Sequence, residues 1–352
     1  LGKDIKSPVF LSCWCFILIK RKMMKKIIAV ACGGYSQEYE ISLQSGQMIF
    51  DHIDHNIFTP YKVHILKNEW FVLDKNENKH PIDRADFSVK INGKKIHFDA
   101  VYNSIHGSPG EDGVFQAYLE LLNIPQTASE HYPAALTFNK RDCINVLKTH
   151  GINSAPNYVL NQGDQIDEDE IVKKVGLPCF VKANRAGSSF GITKVSKKKQ
   201  LKKAIAHSYE FDPEIIIESA LAGTEVSVSV INSNDKLRVL PITQIISENE
   251  FFDYDAKYHG KSKEITPAPI SEEATRKLEK TAEKIVRVLK LKGLSRAEFI
   301  FQDGEPYFIE TNTVPGTSPA SIVPQQIRAA GLTFKEVVTG IIEHAIEMNQ
   351  TK

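Results

Sequence analysis

The stretch 294–312, LSRAEFIFQDGEPYFIETN, constrains the fold more than any other part of the chain. Apolar and polar side chains alternate on either side of Asp303-Gly304, so it reads as two antiparallel strands with one core face and one polar face. Arg296 and Glu298 fall on the polar row of the first strand, Glu310 and Asn312 on that of the second. A two-residue turn at Asp303-Gly304 would send Glu298 and Glu310 to opposite faces. A three-residue turn Gln302-Asp303-Gly304, its glycine supplying the left-handed residue of a bulge, puts them together, and that turn is expected here. Two carboxylates and an amide oxygen on one face suit Mg²⁺ bridging nucleotide phosphates and not zinc. A lone glutamate on an edge hairpin would be a solvated charge. Arg296 beside the pair and the loop TVPGTSPAS after it favour a metal and anion site instead.

The remainder is punctuated like an α/β protein. A continuous apolar run at 27–32 reads as a buried parallel strand, broken by Gly33-Gly34 before a helix over 42–50. Strands are expected at 61–66, 70–73 and 100–105 and a helix at 114–122, with a domain boundary near Ser129. Beyond it come a helix over 139–150 stopped by Gly151 and strands at 157–160, 178–183, 192–195 and 215–219. The helix 197–208 has five lysines in seven positions, but Leu201, Ala204 and Ile205 form a buried stripe opposite them, so the lysines read as a solvated face and not a nucleic-acid patch. The last third alternates cleanly at 226–230, continues through 237–246 and an aromatic, charged loop at 251–260, then enters a helix. Ser271 caps that helix, Glu272 and Glu273 occupy its first turn, and Gly293 ends it after Leu291.

Composition sets limits. With 352 residues, 42% apolar and 25% charged, the chain is globular and long enough for two or three domains. A net charge of +1 offers no electrostatic case for nucleic acid or an anionic membrane. Five cysteines at irregular spacings make neither a disulfide framework nor a zinc signature, which suits a reducing, cytoplasmic setting. Residues 1–23 stand apart: the apolar run 9–19, about half a membrane span, ends in Lys20-Arg21-Lys22 with no small-residue cleavage site. They are expected to be leader or upstream sequence, with the start at Met23 or Met24. Without their five basic residues and one acidic residue the charges stand at 39 against 42, a net of −3.

Three further motifs carry chemistry. In VKANRAGSSFGITKV, 181–195, the strand residue Lys182 precedes glycines and serines able to turn N–H groups onto phosphate oxygens; a flexible hairpin turn accounts for the loop equally well. Lys140 can add a second positive charge, though alone it reads as a surface lysine. The turn Gly33-Gly34 feeds a helix at the C-terminal end of a parallel strand, where α/β folds bind ligands. It lacks dinucleotide spacing, and Glu38 and Glu40 repel phosphate but suit an ammonium group, which points to an amino-acid substrate. The loop HGSPGEDG, 106–113, most simply shapes a pocket wall, with His106 a structural residue.

Together, in this order, these motifs resemble the D-alanine–D-alanine ligases of the ATP-grasp superfamily. The glycine-glutamate start, HG…GEDG, VK…GSSxGxxKV, the aromatic loop ending Ala-Lys-Tyr, R-x-E and ETNTVPG each match a family motif, over about 25–347. The resemblance implies a three-domain ATP-grasp architecture of α/β class behind a parallel α/β N-terminal domain, divided as 24–128, 129–221 and 222–352. It implies that ATP phosphorylates one D-alanine and the amine of a second attacks the acyl phosphate, supplying peptidoglycan precursor in the cytoplasm. Lys140 and Lys182 would hold ATP phosphates, with Glu218, Leu221 and Glu225 taking adenine and ribose. Glu298, Glu310 and Asn312 would bind two Mg²⁺ ions, with Mn²⁺ as a substitute. Arg296 and the Gly316 N–H would stabilise the oxyanion. Glu40 would bind the first ammonium, Ser321 the second carboxylate, and His106 would line the substrate pocket. Ser188 and Tyr258 would link Glu40 to a closing loop whose Lys257 reaches the transferred phosphate. The tyrosine at 258 goes with dipeptide over D-lactate product. A homodimer is implied, with no nucleic-acid or membrane partner.

Three positions depart from the family: Asn139 stands where Asp is common, Ser219 where a lysine or aromatic often follows the adenine-side glutamate, and Glu298 where Asp is usual. Another ATP-grasp carboxylate–amine ligase, a D-alanine–D-lactate ligase, and a catalytically silent nucleotide-binding module are the alternatives.

Overall fold

The computed structural model describes residues 25–74, 76–233, 236–247 and 262–350. The leader expected at 1–23, and Lys257 and Tyr258 of the aromatic loop, lie outside the described residues.

The apolar run after Lys25 forms β1 (Lys26–Gly33), paired in parallel with β2 (Phe58–Ile65) and β7 (Ala100–Asn103). Helix α1 (Tyr39–His52) turns Ile41, Ser42, Ser45 and Ile49 inward. The expected parallel N-terminal sheet therefore exists, but it extends further. The strands β3 (Trp70–Leu73), β4 (Lys79–Asp83), β5 (Ser88–Ile91) and β6 (Lys94–Ile96) add an antiparallel run, giving the order β6-β5-β4-β3-β2-β1-β7. The stretch 79–96 is short, lysine-rich and interrupted by Pro81, so periodicity was silent there. Its one signal is Asn92-Gly93, whose φ angles of 50° and 77° make the tight turn that joins β5 to β6.

Helix α2 (Val114–Leu121) and the 123–130 linker lead into α3 (His131–Phe138) and α4 (Lys140–Thr149). Helix α3 escaped the sequence reading because Pro133 looks like a breaker. It sits in the first turn, where no intrahelical N–H is needed. A second sheet, β11 (Thr193–Val195), β10 (Cys179–Ala183), β12 (Glu214–Ser219) and β9 (Asn157–Asn161) in that order, is wholly antiparallel. Helices α5 (Glu168–Val175) and α6 (Leu201–Ser208) share its core. Leu201, Ala204 and Ile205 are buried there while Lys202 and Lys203 are exposed, as the stripe predicts.

The third sheet runs β16 (Ser262–Ile265), β15 (Thr243–Ser247), β13 (Thr224–Ser233), β17 (Gly293–Gln302), β18 (Glu305–Asn312) and β8 (Asn153–Ser154), with β14 (Lys236–Val239) beside β13. Helix α7 (Glu272–Leu289) packs Leu278, Ala282, Ile285 and Val286 with Phe299 and Phe308 of the hairpin. Those two rings meet edge to face at 6.1 Å. Burying each stabilises the sheet by about 1.5–3 kcal/mol, which is why the apolar row of the hairpin faces this way. Ser271 caps α7 as expected, its Oγ accepting from Ala274 N at 3.2 Å. The C-terminus differs from expectation: the helix stops at Leu289, Lys290 takes the left-handed conformation at φ 53°, and Gly293 opens β17.

Helices α8 (Ile322–Ala329) and α9 (Phe334–Gln350) cover the opposite side and join the third sheet to the first through a core that includes Val30, Tyr102, Leu294, Val338 and Ile341. The alternating strand β13 is consequently buried on both faces, with Ser227 and Ser229 fully inaccessible. Alternation predicts one wet face; here the serines fill a polar but closed layer beneath α8.

Candidate active site

The hairpin brings its polar residues together by a different device from the one expected. Gln302 pairs with Glu305, so Asp303-Gly304 is a two-residue turn, with φ of 53° and 79°. Uninterrupted, that turn would separate the two glutamates. A bulge intervenes: Phe299 faces Phe308, but Glu298 faces Glu310, leaving Ile309 as the extra residue. Beyond it Arg296 faces Asn312. The bulge restores the shared face.

Each carboxylate there has a cation. Arg296 Nη2 donates to Glu298 Oε1 at 2.7 Å, and Lys140 Nζ lies 3.3 Å from Glu310 Oε2 while donating to Ala186 O at 2.7 Å. Lys140 is buried and opens α4, positioned by Asn139, whose Oδ1 accepts from Asp142 N at 3.0 Å and from Asn184 Nδ2 at 2.8 Å. On the second sheet Lys182 Nζ donates to Glu218 Oε2 at 2.8 Å. Burial works to lower the Lys182 pKa, but the charge and hydrogen bond of Glu218, with Glu310 and Glu225 beyond, carry it above its ordinary value. It is a firmly charged lysine. Lys140, Lys182, Glu218, Leu221, Glu225, Glu298 and Glu310 all line one cleft of about 460 Å³ between the second and third sheets. Asn312 lies in a small cavity adjoining it, with Lys140 and Glu310 common to both.

That second cavity leads to the glycine loops. Ser188, at φ 47°, donates its Oγ hydrogen to Glu38 Oε1. A Cβ at Gly187 would come within 2.6 Å of Glu38 Oε2, so glycine is required for the loop to seat on this carboxylate. The residue at Ser188 is therefore Glu38 and not Glu40, which corrects the expected link between Ser188 and Glu40. Glu40 is exposed on the outer side of α1. Helical spacing held the signal: Glu38, Ser42, Ser45 and Ile49 fall on one face, and position 40 does not.

His106 is buried, with Nδ1 2.9 Å from Val314 O and Nε2 3.0 Å from Ser45 Oγ. A carbonyl can only accept, so Nδ1 carries the proton, Ser45 donates to Nε2, and Ser45 Oγ accepts from Thr317 N at 3.2 Å. Burial foremost lowers the His106 pKa and keeps the ring neutral. His106 thus fastens the 314–317 loop to the first sheet. At the end of that loop a Cβ on Gly316 would lie 2.9 Å from Ser321 Oγ, so the two predicted residues are neighbours. Glu111, whose role the sequence left unassigned, accepts from Gly107 N at 2.8 Å, and burial with the nearby charge of Glu38 pushes its carboxyl up to about 8.

Among the described residues no three His, Cys, Asp or Glu side chains come together as a metal cluster. Glu298, Glu310 and Asn312 supply two carboxylates and an amide oxygen. That donor set fits a hard cation that takes its remaining oxygens from phosphates and water.

Residues 27–129 match the family described as the N-terminus of D-ala D-ala ligase, and 146–343 its C-terminus. The chain is 57% identical to the D-alanine–D-alanine ligase of Christiangramia forsetii, over 92% of its own length and 99% of the relative's. Its fold matches the D-Ala:D-Ser ligase VanG of Enterococcus faecalis with a TM-score of 0.81 at 32% identity, covering 92% of this chain and 100% of that one. The D-alanine–D-alanine ligase of Bacillus anthracis, solved complexed with ATP, matches with a TM-score of 0.74 at 25% identity, covering 93% and 99%.

Proposed function

The chain belongs to the D-alanine–D-alanine ligase family and joins two D-alanines into D-alanyl-D-alanine with ATP, for peptidoglycan synthesis; from that premise we propose how its own residues divide the work. The observation that supports the division is the single cleft in which Lys140, Lys182, Glu218, Glu298 and Glu310 meet.

Lys140 and Lys182 hold the ATP phosphates, exchanging their present carboxylate partners for phosphate oxygens. Glu218, Leu221 and Glu225 receive the adenine and ribose. Glu298, Glu310 and Asn312 would hold Mg²⁺, two ions in this reading and replaceable by Mn²⁺, which would supply neutralisation of phosphate charge. Glu38, steadied by Ser188, anchors the ammonium of the first D-alanine and so points its carboxylate at ATP. That carboxylate takes the γ-phosphoryl group and ADP leaves. The second D-alanine, its ammonium having given up one proton, attacks the acyl carbon through its neutral amine, and inorganic phosphate departs with the second proton as the peptide bond forms. Arg296 and the Gly316 N–H stabilise the oxyanion of that step, and Ser321 holds the second carboxylate. Tyr258 and Lys257, to which the sequence resemblance gives roles in closing the site and reaching the transferred phosphate, lie outside the described residues.

We further assign 24–128 to the substrate-binding N-terminal domain and 129–221 and 222–352 to the two ATP-grasp halves. Val114 and Leu121 stay 61% and 87% exposed on a helix of the first region, with Tyr132, 64% exposed, on the helix that follows its boundary, which supports a homodimer through that surface. The enzyme works in the cytoplasm, where ATP is available; among the described residues no helix is long and apolar enough to cross a membrane.

ADP and phosphate release from purified protein should require both D-alanine and Mg²⁺ and yield the dipeptide by mass. No release with any D-amino acid or D-hydroxy acid would overturn the reading.

A further inference from the structure

The polar face of the third sheet does not end at the hairpin. Across it Ile300 faces Glu225, Glu225 faces Ile245, and Ile245 faces Glu264 on the outermost strand β16. Residues opposed in an antiparallel pair point the same way, so Glu264 shares the face of Glu225 and Ile245, which line the cleft. Helix α8 lies over it: Gln325 Nε2 donates to Glu264 Oε2 at 2.5 Å, and Gln326 Nε2 donates to Ser227 O at 2.9 Å. Gln325 stands four positions after Ser321, the residue that precedes the first turn of α8. Burial foremost raises the Glu264 pKa, opposed by the Gln325 hydrogen bond and the charge of Arg296, and reinforced by Glu298. Glu264 is thus a half-buried carboxylate within electrostatic reach of Arg296, joined through Gln325 to the helix that begins at Ser321, the group assigned to the acceptor.

The acceptor is a zwitterion. Its carboxylate goes to Ser321, and its ammonium needs a negative partner that is not already committed. Glu38 serves the first amino acid; Glu298 and Glu310 serve the metal. We propose that Glu264 receives the ammonium of the second amino acid, held in position by Gln325, and thereby sets the preference for an amino acid over a hydroxy acid as acceptor. A hydroxy acid brings no ammonium and leaves this half-buried carboxylate without that cation, a cost that falls on the wrong substrate alone. This inference rests on the ligase reading above.

The test is Glu264→Gln, which keeps the shape and a hydrogen bond to Gln325 while removing the charge. With the wild-type enzyme releasing ADP in the presence of D-alanine, the variant should raise KM for the second D-alanine at least tenfold. KM for ATP and for the first D-alanine should stay within twofold. The ratio of kcat/KM for D-alanine over D-lactate should fall at least tenfold. Glu264→Asp, retaining the charge, should recover part of both. An unchanged second KM and an unchanged acceptor ratio would overturn the inference. So would a rise of all three KM values together, which marks a structural role. A wild-type enzyme inert to every D-amino acid would instead overturn the ligase reading.

Discussion

The glutamates of the hairpin and those of the glycine loops are both buried or nearly so, yet they are kept there by opposite means. On β17 and β18 each carboxylate has a cation beside it, Arg296 for Glu298 and Lys140 for Glu310. In the loops Glu38 and Glu111 lie buried within electrostatic reach of each other and of a neutral His106, and burial with like charge drives Glu111 toward its protonated form. The first arrangement is balanced and can exchange partners with an equally balanced visitor, a nucleotide bringing its own metal. The second has surplus negative charge and can accept a bare ammonium. The charge balance of each site is thus a guide to what enters it.

Four substitutions test the contrast. Glu310→Ala removes a proposed metal ligand and no core, so turnover should fall on the order of a thousandfold, about 4 kcal/mol of barrier, with the thermal midpoint nearly unchanged. Wild-type ADP release would break the balanced-site reading. Glu38→Gln should act on the amino acid and not on ATP. It should raise KM for the first D-alanine about ten- to a hundredfold, the ~1.5–3 kcal/mol of a hydrogen bond to a charged group. If KM for ATP moves instead, the two regions do not divide as described.

Glu111→Gln tests the surplus charge through pH. The folded pKa of Glu111 lies above the unfolded one, so the native state keeps a proton that the unfolded chain has released. That contribution is intact below the ordinary carboxylate range and is lost as pH rises through about 8. The variant should therefore gain stability relative to wild type as urea midpoints are compared from about pH 5 to about pH 9; a flat difference would mean Glu111 ionises normally. The smallest effect belongs to Asn139→Asp. It restores the commoner residue, keeps the oxygen that accepts from Asp142 N, and adds a negative charge at the start of α4, for about 0.3–1 kcal/mol of stability and little change in KM.

What the sequence disclosed follows from range. The polar row Arg296, Glu298, Glu310 and Asn312 was legible because alternation is local, and the cap at Ser271 for the same reason. The bulge at Ile309 was not, because nothing within a strand announces which position will go unpaired; the right face was reached through the wrong turn. Glu40 was preferred to Glu38 because both suit an ammonium, and only the inward stripe of α1 separates them. The double burial of β13 depended on where α8 and α9 pack, a tertiary fact absent from its alternating pattern. Glu111 looked like part of a turn because its neighbours, Glu38 and Gly187, are remote in sequence.

The bonds that close the glycine loops have a further consequence, for the order in which the chain can mature. Ser188 reaches Glu38 across 150 residues, His106 reaches Val314 across 208, and Thr317 reaches Ser45 across 272. Contacts so distant along the chain cannot form until nearly all of it is present, and their closure is entropically late. A ribosome-bound chain that has not yet exposed Thr317 can own a folded first sheet and still bind no amino acid. Ligand binding on this protein should switch on abruptly once Thr317 has emerged and can reach Ser45.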